Sequence, residues 1–169
     1  MLIYLSLGSN IGDREGNLRQ AVERLPPHGV RVLRQSRIYE TEPVDYKDQA
    51  WFLNQVLEAE TALFPMQLLA SLGRLERELG RLRTRPKGPR TIDIDILFYG
   101  AATVATAQLQ IPQPRMAERR FVLVPLAELA PNLRHPVTHR SVSQMLESAP
   151  PAVVRLVAGA GGMPSQCTV

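Results

Sequence analysis

Apolar and polar positions along the chain recur with periods that divide it into short elements. Leu2 to Leu7 reads as a strand, and Gly8, Ser9, Asn10 and Gly12 supply a turn after it. Asp13 stands as an N-cap, and Leu18, Ala21, Val22 and Leu25 share one helical face that stops at Pro26 and Pro27. Val30 to Thr41 and Phe52 to Leu63 alternate β-branched and apolar residues with polar ones. They predict two strands flanking a polar loop that contains Pro43, Asp45, Lys47 and Asp48. Pro65 suits a first helical turn, and Leu68, Leu72, Leu75 and Leu79 recur at three- and four-residue steps until Gly80, the clearest helix of the sequence. A further strand runs through IDIDILFY, followed by a short hairpin around Gly100 to Gln110 and short helices over Phe121 to Leu129 and Ser141 to Ser148. Residues 158–169, which include Gly159, Gly161 and Gly162, predict a disordered tail behind a single domain of residues 1–157.

The order strand, helix, strand, strand, helix, strand is that of a split βαβ unit. It predicts an α+β, ferredoxin-like core: an antiparallel sheet with helices packed on one face and an added short hairpin. No repeat or long linker divides the chain. No apolar run has the length to span a bilayer and the amino terminus lacks a signal-peptide pattern, so a soluble, cytoplasmic protein is expected. Cys167 is the only cysteine, which excludes an internal disulfide or a Cys-based cage, and His28, His135 and His139 are too scattered to hold zinc.

Chemistry enters at GPRTIDIDILFYG. Successive strand residues point to opposite faces, so Asp93 and Asp95 share one face while Ile92, Ile94 and Ile96 share the other. A charge taken into apolar surroundings is costly without a partner. Carboxylates two apart on a strand lie about 6–7 Å from each other, a spacing suited to joint ligation of a hard divalent cation, magnesium being the natural candidate. The competing reading pairs them with Arg90 or neighbouring arginines. Charge sharpens the picture, because five of the 20 basic residues (Arg81, Arg83, Arg85, Lys87, Arg90) fall in one Pro/Gly-rich loop without an acidic residue, and the rest of the chain is near neutral. Clustered positive charge attracts phosphates. Carboxylates, metal and guanidinium together form the alternating array that phosphoryl transfer needs.

Other candidates are weaker. LGSNIGD lacks the features of a Walker loop or a dinucleotide fingerprint and reads as a strand-to-helix turn. Asn54 lies inside an apolar strand with Phe52 on its face, so the pair could offer a planar ligand an amide and an aromatic wall, or simply satisfy the core. Phe121 could be a second wall or core. Glu76 falls on the polar side of the leucine helix, where ion pairing is its ordinary role. A nucleotidyltransferase is a rival reading, although Ser9 and Asp93 are far apart in sequence. An RNA-binding module is another, although no RNP-type aromatic pattern is present.

The motifs YLSLGSNIGDR, YETEP followed by FLNQV, LERELGRLR, GPRTIDIDILFYG and IPQPRMAERRFVLVPL, in that order, resemble the 6-hydroxymethyl-7,8-dihydropterin pyrophosphokinase family over roughly residues 2 to 150. The resemblance implies a ferredoxin-like α+β fold and pyrophosphoryl transfer from ATP to the pterin's hydroxymethyl oxygen, releasing AMP, in folate biosynthesis. It implies two Mg2+ ions bound with ATP at Asp93 and Asp95. It carries pterin contacts to Thr41 and Val44 through backbone, to Asn54 through its amide, and to Phe52 and Phe121 as stacking rings. Nucleotide contacts carry to Glu76, Arg81, Arg83, Lys87, Arg90, Ile96, Gln113 and Arg119, with Arg81, Arg83 and Arg90 also catalytic. The partners it implies are ATP and the pterin alone, with no nucleic acid, no membrane and a monomeric chain. Two departures stand out: Gln113 replaces a common histidine, and Lys87 replaces an aromatic residue.

Overall fold

The structure, a computed structural model, describes residues 1–43, 47–80 and 91–157. Val44, the basic loop with Arg81, Arg83, Lys87 and Arg90, and the expected tail at 158–169 lie outside the described residues. In chain order the elements are β1 (Leu2–Ser9), α1 (Arg14–Arg24), β2 (Val30–Gln35), β3 (Tyr39–Thr41), β4 (Phe52–Thr61), α2 (Pro65–Glu78), β5 (Asp93–Tyr99), β6 (Val104–Ala105), β7 (Gln110–Ile111), α3 (Arg120–Leu129), α4 (Val142–Ser148) and β8 (Val154–Leu156). Among the described residues no helix is long and apolar enough to cross a membrane.

Local chemistry sets the helix limits. The Asp13 carboxylate accepts from the Gly16 N–H to start α1, as the sequence predicts. Pro65 opens α2, and Gly80 at φ +80 stops the chain just beyond it, a conformation that costs other residues steric strain. Ser141 and Gln144 close a reciprocal capping box on α4.

Six strands form one sheet in the order β5–β1–β4–β3–β8, with β2 also paired to β4, every pair antiparallel. The central strands follow the split βαβ arrangement that the sequence predicts, and β6 and β7 form the added hairpin. The strand expected over Val30 to Thr41 is two. Ser36, Arg37 and Ile38 stand between β2 and β3, opposite only Gln55 and Val56 of β4. Ser36 bridges that bulge: its N–H donates to the Val56 carbonyl at 2.9 Å and its hydroxyl accepts from the Val56 N–H at 2.9 Å.

The helices cover both faces of the sheet rather than the one expected. Ile3, Leu5, Leu7, Leu53, Leu57, Ile94 and Ile96 pack with Leu18, Ala21, Leu68, Leu72 and Leu75 of α1 and α2. On the opposite face Tyr4, Val56, Leu97 and Phe98 pack with Val122, Leu123 and Leu126 of α3 and Val142 and Met145 of α4. A bulge in β5 serves this second layer. The β1–β5 register shifts between Tyr4 and Leu5, so that Leu97 and Phe98, although adjacent, both join the α3 side.

Candidate active site

The α3 side of the sheet is covered only in part, and the predicted residues gather where the cover ends. Gly8 pairs with Asp93 of β5 on one side and with Asn54 of β4 on the other, giving a lateral row Asp93, Gly8, Asn54. The next row on that face is Asp95, Ser6, Val56. With strands about 4.8 Å apart, the carboxylate column and the amide column lie about 10 Å from each other across the glycine. Gly8 and Ser9, expected as turn residues, belong to β1. Glycine is needed in this row: a Cβ on Gly8 would lie 3.0 Å from Asn54 Oδ1 and 3.6 Å from Phe52 Cδ1.

Asn54 is buried, and its amide nitrogen donates to the hydroxyl of buried Thr41 at 2.5 Å, which orients the Oδ1 edge toward the Gly8 row. The amide nitrogen is thus satisfied by the core, while Oδ1 lies beside Gly8. Phe52 is half-buried at the last described rung of the β3–β4 ladder, opposite Thr41. Phe121 is half-buried in the first turn of α3 and packs against the α3-side core. The Arg119 guanidinium lies 5.7 Å from the centre of the Phe121 ring, within cation–π range. Gln113 is brought beside β5 by its backbone, whose N–H donates to the Leu97 carbonyl at 3.2 Å, while its side-chain oxygen accepts from the Arg115 N–H at 3.2 Å.

Two expectations change. Asp93 is half-buried and Asp95 is exposed, so neither carboxylate is enclosed in the apolar surroundings that the sequence implied. Glu76 is only 6% exposed and lies on the buried side of α2, not its polar side. It stands four residues after Leu72 and eight after Leu68, a helical spacing that marks it as inward. Ile96 packs in the α1–α2 core, on the face opposite the carboxylates, where the alternation of the strand puts it.

Among the described residues no cluster of three or more His, Cys, Asp or Glu is placed to hold a metal ion. A pair of carboxylates alone suits a cation that completes its shell with water and ligand oxygens.

The residues from 4 to 131 match the family model described as 7,8-dihydro-6-hydroxymethylpterin-pyrophosphokinase (HPPK). The chain belongs to this family. It is 49% identical to the Bacillus subtilis 2-amino-4-hydroxy-6-hydroxymethyldihydropteridine pyrophosphokinase over 144 residues, covering 85% of this chain and 86% of that protein. It is 45% identical over 145 residues to the Pneumocystis carinii folic acid synthesis protein fol1, covering 86% of this chain but 20% of that protein. The fold resembles that of wild-type Plasmodium falciparum HPPK-DHPS, with a TM-score of 0.67 at 15% identity, over 86% of this chain and 44% of the other. The chain thus spans about one fifth of fol1 and under half of the HPPK-DHPS chain. The HPPK match ends before α4 and β8, which lie beyond residue 131.

Proposed function

We propose that this chain moves the pyrophosphoryl group of ATP to the hydroxymethyl oxygen of 6-hydroxymethyl-7,8-dihydropterin and releases AMP, a step of folate biosynthesis. The observation that carries the reading is the row Asp93, Gly8, Asn54, which sets a carboxylate column across a single glycine from an amide and an aromatic ring. In this reading Asn54 hydrogen-bonds the edge of the pterin, and Phe52 and Phe121 stack against its faces. Thr41 holds the Asn54 amide in the orientation the ring requires.

The donor set fits magnesium, and Asp93 and Asp95 would hold it with polyphosphate oxygens completing the shell. Bound there, it would neutralise phosphate oxygens and favour ionisation of the attacking hydroxyl, so no histidine base is needed. The hydroxyl oxygen forms a bond to the β-phosphorus, the bond from that phosphorus to the α–β bridging oxygen breaks, and the hydroxyl proton is lost to solvent. Arg119 lies at the edge of the Phe121 wall and would offset phosphate charge, with Gln113 offering an uncharged hydrogen bond. Arg81, Arg83, Lys87 and Arg90 share the nucleotide role that the family resemblance implies. The enzyme acts on small molecules in the cytoplasm as a monomer.

The RNA-binding alternative loses support from the fold, since α3 and α4 take up much of the sheet face that would have to stack a run of bases. The deciding experiment supplies ATP, Mg2+ and the reduced hydroxymethyl pterin. AMP and a pyrophosphorylated pterin in equal amounts are expected, whereas release of pyrophosphate would overturn the reading in favour of nucleotidyl transfer.

A further inference from the structure

β8 lies outside the residues matched to the family, yet it reaches the entrance of β4. It docks on β3 with Arg155 directly opposite Glu40. The two side chains meet, Arg155 donating to Glu40 Oε1 at 3.1 Å, while the other carboxylate oxygen, Oε2, pairs with Arg14 of α1 at 3.0 Å. Both guanidinium groups then converge on Trp51. Arg155 lies over its indole ring, 4.5 Å from the centroid, and Arg14 donates to its backbone carbonyl at 2.9 Å. One residue earlier, the Asn10 amide donates to the Ala50 carbonyl at 2.9 Å.

This placement matters because Phe52 is the next residue in the chain after Trp51. Thr41 opposite Phe52 is the last rung between β3 and β4, so the sheet ladder no longer holds the backbone at residue 51. The side chains of Arg14 and Arg155 take over where the ladder stops. We propose that Arg155 is a positioning residue for the pterin wall: through Trp51, and with Glu40 and Arg14, it sets the backbone from which the Phe52 ring projects. The inference rests on the pterin reading of Phe52 given above. Arg155 reaches Glu40 and Trp51, and an exposed guanidinium on an indole is a modest contact, so its loss should weaken pterin binding without stopping chemistry.

Trp51 is the single tryptophan of the chain, so its fluorescence reports on the surroundings of this one indole. The test compares wild type, Arg155→Ala and Arg155→Lys in the full chain. In the absence of substrate, Arg155→Ala should shift the Trp51 emission to the red and raise its quenching by iodide, and Arg155→Lys should restore part of the shielding. With substrates, Arg155→Ala should raise the pterin KM about two- to fivefold, the range that a contact of this kind supports, with kcat and the ATP KM unchanged. A pterin KM within experimental error of wild type, or equal iodide quenching in the two proteins, would overturn the positioning role while leaving the activity in place. A wild-type protein that releases no AMP from ATP and the pterin would instead remove the activity reading and this inference with it. A loss of kcat in Arg155→Ala with unchanged KM would also refute it, because that pattern belongs to a group acting on the transition state.

Discussion

The two faces of the central sheet are made by the same strands, and they serve opposite ends. The face under α1 and α2 is closed: Ile3, Leu5, Leu7, Leu57, Ile94 and Ile96 are each at most 5% exposed. The face under α3 and α4 is closed around Tyr4, Val56, Leu97 and Phe98, and beyond them, among the described residues, Asp93 and Phe52 are half-buried and Asp95 is exposed on either side of buried Gly8. Residues adjacent in sequence, such as Ile94 and Asp95, thus carry stability and chemistry separately. A sheet with one sealed side can hold polar groups rigidly on the other, because the backbone that positions them is fixed from below.

The sharpest way to break this contrast is to neutralise the open face. Asp95→Asn is expected to lower the rate of AMP release about 10²- to 10³-fold, the loss seen when a centre of charge stabilisation is removed, while thermal unfolding stays near wild type. A large fall in Tm with retained turnover would mean that the carboxylate belongs to the fold. The mirror experiment is Leu57→Ala on the sealed face, expected to cost about 2–5 kcal/mol of stability in urea unfolding, with KM values of the folded protein unchanged.

A smaller effect tests the floor of the row. Gly8→Ala places a methyl 3.0 Å from Asn54 Oδ1, so the amide must yield. Pterin affinity, measured by calorimetry, should fall about tenfold, in keeping with the 1–3 kcal/mol cost of overpacking, and ATP binding should not. Equal losses for both ligands would show that the glycine serves the strand rather than the pterin.

The smallest effect lies on the α3 side, away from the site. Arg34 hydrogen-bonds Glu58 and holds its carboxyl below the ordinary value of 4.5; burial opposes this, and the Tyr4 hydroxyl, donating at 2.7 Å, adds to the lowering. Burial and the same carboxylate push the Tyr4 phenol above its usual range. Since the folded chain binds fewer protons at Glu58 than the unfolded chain, the pair stabilises above about pH 4.5 and its contribution is lost as pH falls through the depressed folded value. Arg34→Met should therefore flatten the acid limb of the stability profile while leaving AMP release at neutral pH as in wild type. Unfolding curves at several pH values check it.

Much of this is legible in the residues. The alternation of Ile92, Ile94 and Ile96 with Asp93 and Asp95 assigns the strand's two faces, and the leucine spacing locates α2. Glu76 reads as a surface residue only when charge is weighed above period, because its spacing from Leu68 and Leu72 places it inward. β8 escapes the sequence pattern because Val-Arg-Leu is too short to display alternation, and it forms only against the ready edge of β3. The break at Ser36 is hidden for a related reason: a hydroxyl that replaces a ladder partner is recognisable only once Val56 is opposite it.

By itself, then, the sequence determined which way each side chain turns within its own element, since strand and helix periods are properties of a few consecutive residues. Only the tertiary structure decided that Asp93, Gly8 and Asn54 fall in one row and that Asp95 beside it is left exposed. Lateral register depends on hydrogen bonds between residues tens of positions apart, and no local pattern records which of them meet.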